Sequence, residues 1–481
     1  MKSFLGLTGS RSRTGWLFFG IVLCLTRGPS ISAEDKPAEV KVLHIFSRSQ
    51  NDGSNPQGTL LAGSDGALYG MTTAGGADRQ GTVFKLNQDG TGYQVLHSFR
   101  ATGNDGRGPL AGVIEAQDGW LHGVTEGGGA SGAGTIFKIA AGGTGFQIIH
   151  RFAAVTATNQ DSNPVNANGA YPEAELVEGA DGYLYGVTRA GGPNGTGAIF
   201  KISRDGTDFK LLHSFSAVTS STTSGLTVTV DGAAPTGPLV VGTDNLFYGT
   251  ASQGGTNGRG TVFRIAFDGA GFQVLHHFSA TTTDTATGLA ENADGATPLG
   301  GLLDGGDGFF YGTAAQGGTD GNGVIFAIPA DGSTFTVLHS FAGADGARPV
   351  AELMVASSGK LYGVTSSGGV NTAGTATTLG TIFSVDRAGT NFSRLYSFDG
   401  KDGSVPSSKL LETASGVFVG ITTSTGNCSY GTVFRYSLAG DTVTGNTRCG
   451  QKKNNNSGGG SAGFAVLLLF AGLALLRRWP A

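Results

Sequence analysis

Short apolar runs alternate with glycine-rich turns from one end of the chain to the other. From residue 58 the pattern reads "GTLLAG", a Ser-Asp-Gly turn, "ALYGMT", a glycine-rich stretch, "GTVFKL", the turn "NQDGTG" and "YQVLHSF". Aspartate–glycine turns between short β-branched and aromatic runs are a strong local hairpin signal. One such segment therefore predicts four antiparallel strands.

The segment recurs. "LYG" at 68–70 returns as "LHG" at 121–123, "LYG" at 184–186, "FYG" at 247–249 and 310–312, "LYG" at 361–363 and "FVG" at 418–420. The final glycines of these copies are spaced 53, 63, 63, 63, 51 and 57 residues apart. A "GTVF"-like tetrapeptide follows every copy, from 81–84 to 431–434. A third element, "VLHSF" at 95–99, has relatives at 148–152, 211–215, 274–278, 337–341 and 394–398. Its seventh copy, "VLHIF" at 42–46, precedes all the others. Four strands repeated seven times predict an all-β fold, a seven-bladed β-propeller of four-stranded blades. The chain opens with a lone fourth strand, Val42 to Phe46, and its last unit ends after a third strand at Phe434. The N-terminal strand is therefore expected to join the last blade and close the ring, removing the free sheet edges of an open array.

The combined pattern "LYGxTxxGG…GTVF…LHSF" resembles the GloVer tandem repeat of bacterial surface proteins with varied anchoring signals, over about 400 of the 481 residues. The resemblance implies exposure and attachment at a surface, and no particular reaction. Composition agrees with a turn-rich chain: there are 85 glycines and only 14% charged residues. A net charge of −4 offers no basic surface, which excludes nucleic acid as a partner.

The two ends have their own pattern. Lys2, Arg11 and Arg13 precede an apolar run from Trp16 to Leu25, and "SISAED" offers cleavage after Ala33. Residues 1–33 thus read as a signal peptide, with an uncleaved membrane anchor as the alternative. Leu23 before Cys24 argues against a lipoprotein, where a small residue is needed. A short linker at 34–40 leads to the propeller at 41–437, followed by a polar Gly/Asn-rich linker at 438–460 and an apolar helix with a basic end at 461–481. Cys428 and Cys449 remain after export and suggest a disulfide closing a loop of about 20 residues, worth about 2–3 kcal/mol, with two free thiols as the rival. The glycine cluster, apolar run and arginine pair resemble the GlyGly-CTERM sorting tails of Gram-negative bacteria. That resemblance implies cleavage near Gly458, Gly459 and Gly460 by an intramembrane rhomboid-type protease after export, with Arg477 and Arg478 as the basic end. A plain tail anchor is the alternative.

Candidate chemistry is sparse. Glycine pairs at 75–76, 127–128, 191–192, 254–255, 317–318 and 368–369 look like phosphate cradles, but a strand follows each one where a helix N-terminus is required. They read as hairpin loops needing positive φ. His44, His97, His150, His213, His276 and His339 share one repeat position, with Tyr396 in the seventh. Repeat symmetry spreads them around a ring, so they cannot converge on one metal, and a ring nitrogen bonded to backbone between blades is expected. No metal site, cofactor or catalytic residue is read from the sequence. Function on a repeat scaffold sits where the symmetry breaks. Long connections at 153–170, 216–233 and 279–295 are expected on one sector of one face. The second unit also departs from the pattern, with Trp120, His122 and Glu126 as candidate binding residues. The leading expectation is a non-catalytic, surface-attached or released binding or matrix module with a glycan or envelope-protein partner. The alternative is a secreted polysaccharide hydrolase or lyase, for which Glu173, Glu175 and Glu178 form the nearest carboxylate cluster.

Overall fold

Each repeat folds into its own antiparallel sheet, with strands hydrogen-bonded in sequence order. The computed structural model describes residues 39–439, apart from 48, 103, 160–161, 222–224, 371–373, 376–377 and 425–429. The signal peptide, the Cys428–Cys449 pair and the sorting tail with Gly458, Gly459, Gly460, Arg477 and Arg478 lie outside the described residues. The first blade comprises Gly53–Ala62, Leu68–Gly75, Thr82–Leu86 and Gln94–Ser98. Seven such blades form a β-propeller. The seventh is completed by Glu39–Ile45, which pairs antiparallel with Thr432–Ser437, Val42 facing Phe434 and Ile45 facing Thr432. The ring closes between the chain ends, as the offset repeat predicts. The segments at and just before the first strands line the axis: Thr59, Ala111, Glu175, Pro238, Gly301, Glu352 and Lys409, one from each blade, surround a cavity of 220 Å³.

The repeated motifs are packing devices. A Cβ on the glycine of each "LYG"-type triplet would lie 2.4–2.7 Å from the phenylalanine ring of the following "GTVF"-type element, from Gly70 against Phe84 to Gly420 against Phe434. The ring of each blade thus lies directly on the bare backbone of the strand beside it. Threonines reinforce the same strand pair, with Thr72–Thr82, Thr125–Thr135, Thr365–Thr381 and Thr422–Thr432 hydroxyls 2.8 Å apart.

Neighbouring blades are joined by a proline that lies outside the repeated motifs. Pro56, Pro109, Pro172, Pro235, Pro298, Pro349 and Pro406, in the stretches that lead toward the axis, each pack against the positive-φ glycine that opens a "GTVF"-type element of the preceding blade, as Pro109 does against Gly81 (φ 104°). The residue before each proline is left-handed: Asn55, Gly108, Tyr171, Ala234, Thr297, Arg348 and Val405 have φ of 51–59°. Their N–H groups donate across the joint to carbonyls 2.8–2.9 Å away, as Thr297 does to Arg259. These crossing bonds hold a conformation that costs a non-glycine residue about 1 kcal/mol or more.

The outer strand carries the third device. All seven outer strands contain a bulge beside the histidine position, for example between Val95 and His97. The bulge turns the ring toward the next blade. There six histidines stack on aromatic rings at 3.5–4.1 Å, within 12° of parallel, as His97 does on Phe146 and His213 on Phe272.

Candidate functional site

The histidines are the first candidates to resolve. His44, His97, His213, His276 and His339 each direct Nε2 at a carboxylate 2.8–3.2 Å away, those of Asp52, Asp105, Asp231, Asp294 and Asp345. The expected backbone partner is therefore corrected: the histidine bonds an aspartate side chain, and that aspartate in turn accepts a backbone N–H just past the outer strand, as Asp52 does from Ser47 at 2.8 Å. Burial tends to raise Asp52, Asp105, Asp294 and Asp345, but hydrogen bonds and the charge of the histidine hold them below the ordinary carboxylate value. In the third joint Asn168 donates to His150 at 3.1 Å, and burial drives His150 down to about 4, so this ring is neutral. Each ring is committed to its own joint.

The joint that closes the ring is different. Tyr396 donates to Asp402, and the aromatic stacking residue of the other joints is replaced by the buried Val40. The larger tyrosine fills the room left by the smaller valine. Burial pushes Asp402 up to about 6, from 3.8. Between those values the folded protein keeps a proton that the unfolded chain releases, so this carboxyl lowers stability as pH rises from about 4 to 6. The double substitution Tyr396→His with Val40→Phe recreates the other joints and is expected to remove that loss. Urea midpoints of both proteins from pH 4 to 7 measure it. The difference is expected to grow in the variant's favour by up to about 3 kcal/mol; a constant difference contradicts the assignment.

The residues singled out in the second blade do not form one group. Trp120–Thr125 is a single strand, with Trp120 at one end of the blade and Glu126 just past the other, roughly 20 Å away at 3.3 Å per residue. Trp120 packs on Gly145 and lies beneath the Lys138 ammonium, 5.3 Å from the ring centroid. His122 is fully buried, with Nδ1 3.2 Å from the Trp120 carbonyl and Nε2 3.4 Å from that of Arg204. It stands where four other blades place a tyrosine bonded to a turn aspartate, as Tyr185 is to Asp181 at 2.7 Å. The second glycine pair also shifts by one: Gly128 and Gly129 carry positive φ there, and Gly127 does not.

Glu126 leads to a different site. It lines a cleft of 730 Å³ with Gln80, Arg107, Asn163, Tyr171 and Arg189, from the first three blades. A second hollow of 560 Å³ adjoins it, sharing Gln80, Arg107, Gly132 and Tyr171 and adding Arg100. Three long connections form small hairpins on this face, at Ala157–Thr158 with Pro164–Val165, Ser220–Ser221 with Thr227–Val228, and Thr282–Thr283 with Ala290–Glu291. The first of them supplies Ser162, Asn163 and Pro164 to the cleft wall. Arg189 donates from Nε to Glu173 at 2.5 Å, lies 4.0 Å from Glu126, and covers the Tyr171 ring at 5.3 Å. Burial raises the Glu173 carboxyl, against the pull of Arg189.

The cleft is where repeat symmetry fails most. At the position of Arg107 the other blades place Ser54, Ala170, Ala233, Ala296, Ala347 and Ser404. At the position of Glu126 and Arg189 they place Thr73, Ser252, Ala315, Ser366 and Thr423. Large polar groups replace small ones only in the second and third blades, and they meet. In the cluster Glu173, Glu175 and Glu178 only Glu178 lies in the inner strand Val177–Glu178, and the other two precede it. Glu173 lines the axial cavity and accepts from Arg189 of the cleft wall. Glu175 accepts the Thr59 and Gly112 N–H groups in the axial cavity at 2.7 and 3.1 Å. Glu178 accepts from Gln117 N at 2.9 Å and pairs with Arg204. Glu352 shares the axial cavity and pairs with Lys409 at 2.5 Å.

The model of the Gloeobacter/Verrucomicrobia repeat matches residues 30–231, 162–292 and 283–460. The chain belongs to this repeat family. In this member of the Gloeobacter/Verrucomicrobia repeat family, the glycines, phenylalanines and histidines described above are the parts that build and join blades. No curated protein matches the chain. Solved structures similar to it include an oligogalacturonate lyase from Vibrio parahaemolyticus, 12% identical, with a TM-score of 0.47 over 84% of this chain and 94% of that one. A gluconolactonase from Xanthomonas campestris is 13% identical, with a TM-score of 0.38 over 83% of this chain and 89% of that one. A nidogen/laminin complex chain is 14% identical, with a TM-score of 0.36 over 68% of this chain and 90% of that one.

Proposed function

We propose that this protein is an exported, surface-attached or released propeller that binds a glycan without catalysis, through the cleft on its first three blades. The observation that carries the reading is the convergence there of Arg107, Glu126, Tyr171 and Arg189, at positions where the repeat otherwise places mostly small residues. A scaffold gains nothing from four such departures unless they meet something. Export through residues 1–33 and sorting by a rhomboid-type protease at Gly458–Gly460 belong to the same proposal, as do envelope partners and transient membrane attachment through the C-terminal helix. A glycan array probed with the full exported chain tests the binding: retained ligand is expected, and a protein displayed normally that retains none contradicts it.

A second reading, a polysaccharide hydrolase or lyase, draws on Glu175 and Glu352 in the axial cavity. Burial raises the Glu352 carboxyl despite the Lys409 ammonium, as acid catalysis asks. Both carboxylates, however, are already engaged by donors of this chain, and the non-catalytic reading is favoured for that reason.

A further inference from the structure

We propose that the ligand is an acidic sugar chain whose carboxylate or sulfate group is held by Arg107. The inference rests on the binding-module reading and adds the ligand's chemical class. Arg107 is exposed and lines both the 730 Å³ and the 560 Å³ hollows, so it stands where they meet. Among the described residues no carboxylate lies within ion-pairing distance of its side chain, whereas Arg189 beside it is taken by Glu173. The Arg100 guanidinium likewise has no carboxylate within ion-pairing distance among the described residues and lines the second hollow, where its backbone N–H donates to Asp105 at 3.1 Å. A free planar guanidinium presents a fork of donors matched to the two oxygens of a carboxylate or sulfate.

The rest of the wall fits sugar hydroxyls better than a protein. Gln80, Ser162 and Asn163 offer amide and hydroxyl groups. The one aromatic ring, Tyr171, is covered by Arg189, which leaves no deep apolar pocket of the kind that anchors protein partners. An acidic peptide would have only the charge to hold it.

The substitution Arg107→Ala is well suited to a test, because alanine occupies the equivalent position in four other blades (Ala170, Ala233, Ala296 and Ala347) and those blades fold. Calorimetry with the full chain at low salt would use an oligouronate, chondroitin sulfate and neutral dextran as probes. The expected result is binding of an acidic probe that Arg107→Ala weakens about tenfold or more, while Arg348→Ala, an exposed arginine outside the cleft, leaves it unchanged. The uronate and sulfate arms tell which anion is read. Equal binding of dextran overturns the acidic class and leaves the binding module standing. Acidic binding unaffected by Arg107→Ala overturns the site. Binding of no sugar by the unsubstituted protein, acidic or neutral, overturns the module reading and this inference with it.

Discussion

A chain beginning after Phe46 is expected to lose the closed ring, with a fall in stability of about 5 kcal/mol or more. Residues 39–45 supply the whole outer strand of the seventh blade, paired from Glu39 with Ser437 to Ile45 with Thr432. Val40, Val42 and Phe46 are buried, and each side chain withdrawn from water contributes about 1.5–3 kcal/mol. Phe46 also reaches the first blade, packing edge-on against Phe84 at 5.3 Å. The strand therefore ties the last blade to the first, and its loss leaves Thr432–Ser437 as an unpaired edge, a template for aggregation. Thermal unfolding and size-exclusion chromatography measure the outcome. A truncated protein that stays monomeric with an unchanged Tm contradicts the account of closure.

The second large effect concerns the glycine under each phenylalanine. A Cβ at Gly249 would fall 2.7 Å from the Phe263 ring and 3.0 Å from Leu239. Gly249 does not need a left-handed backbone, so the obstacle to a side chain is steric alone. Gly249→Ala is expected to cost about 1–3 kcal/mol by overpacking, and Gly249→Val more. In Gly249→Ala with Phe263→Leu, the smaller side chain makes room, so the double variant is expected to be more stable than the sum of the single losses. Urea denaturation of the four proteins gives the coupling. Simple additivity contradicts the packing described for all seven blades.

How much of this was legible in the sequence follows from where the residues lie. Strands, turns and ring closure are written in the alternation and in the offset between Val42–Phe46 and Phe434, because each blade is a local unit. The histidine partners were not legible: they lie 8 residues away for His44 and His97, 18 for His213 and His276, and 6 for His339. Loops of changing length separate residues that share one place in space. The seven prolines sit in those same connections, outside the alternating pattern. In the second unit a run of three glycines, Gly127 to Gly129, hid which two carry positive φ. The idea that broken symmetry marks function led to Glu126, but also to Trp120 and His122 at the far end of the strand. Arg107 was missed because it precedes the inner strand. Aligning the connections on their prolines exposes it, since it stands two residues before Pro109 where every other copy has serine or alanine.

Under the proposed function, ligand recognition belongs to the cleft of the first three blades and not to the axial cavity. A crystal structure of the full chain with an acidic oligosaccharide tests it most directly. The sugar is expected between Arg107, Asn163 and Tyr171, with an anionic group on the Arg107 guanidinium. Sugar bound in the axial cavity against Glu175 and Glu352, with the cleft empty, would contradict it.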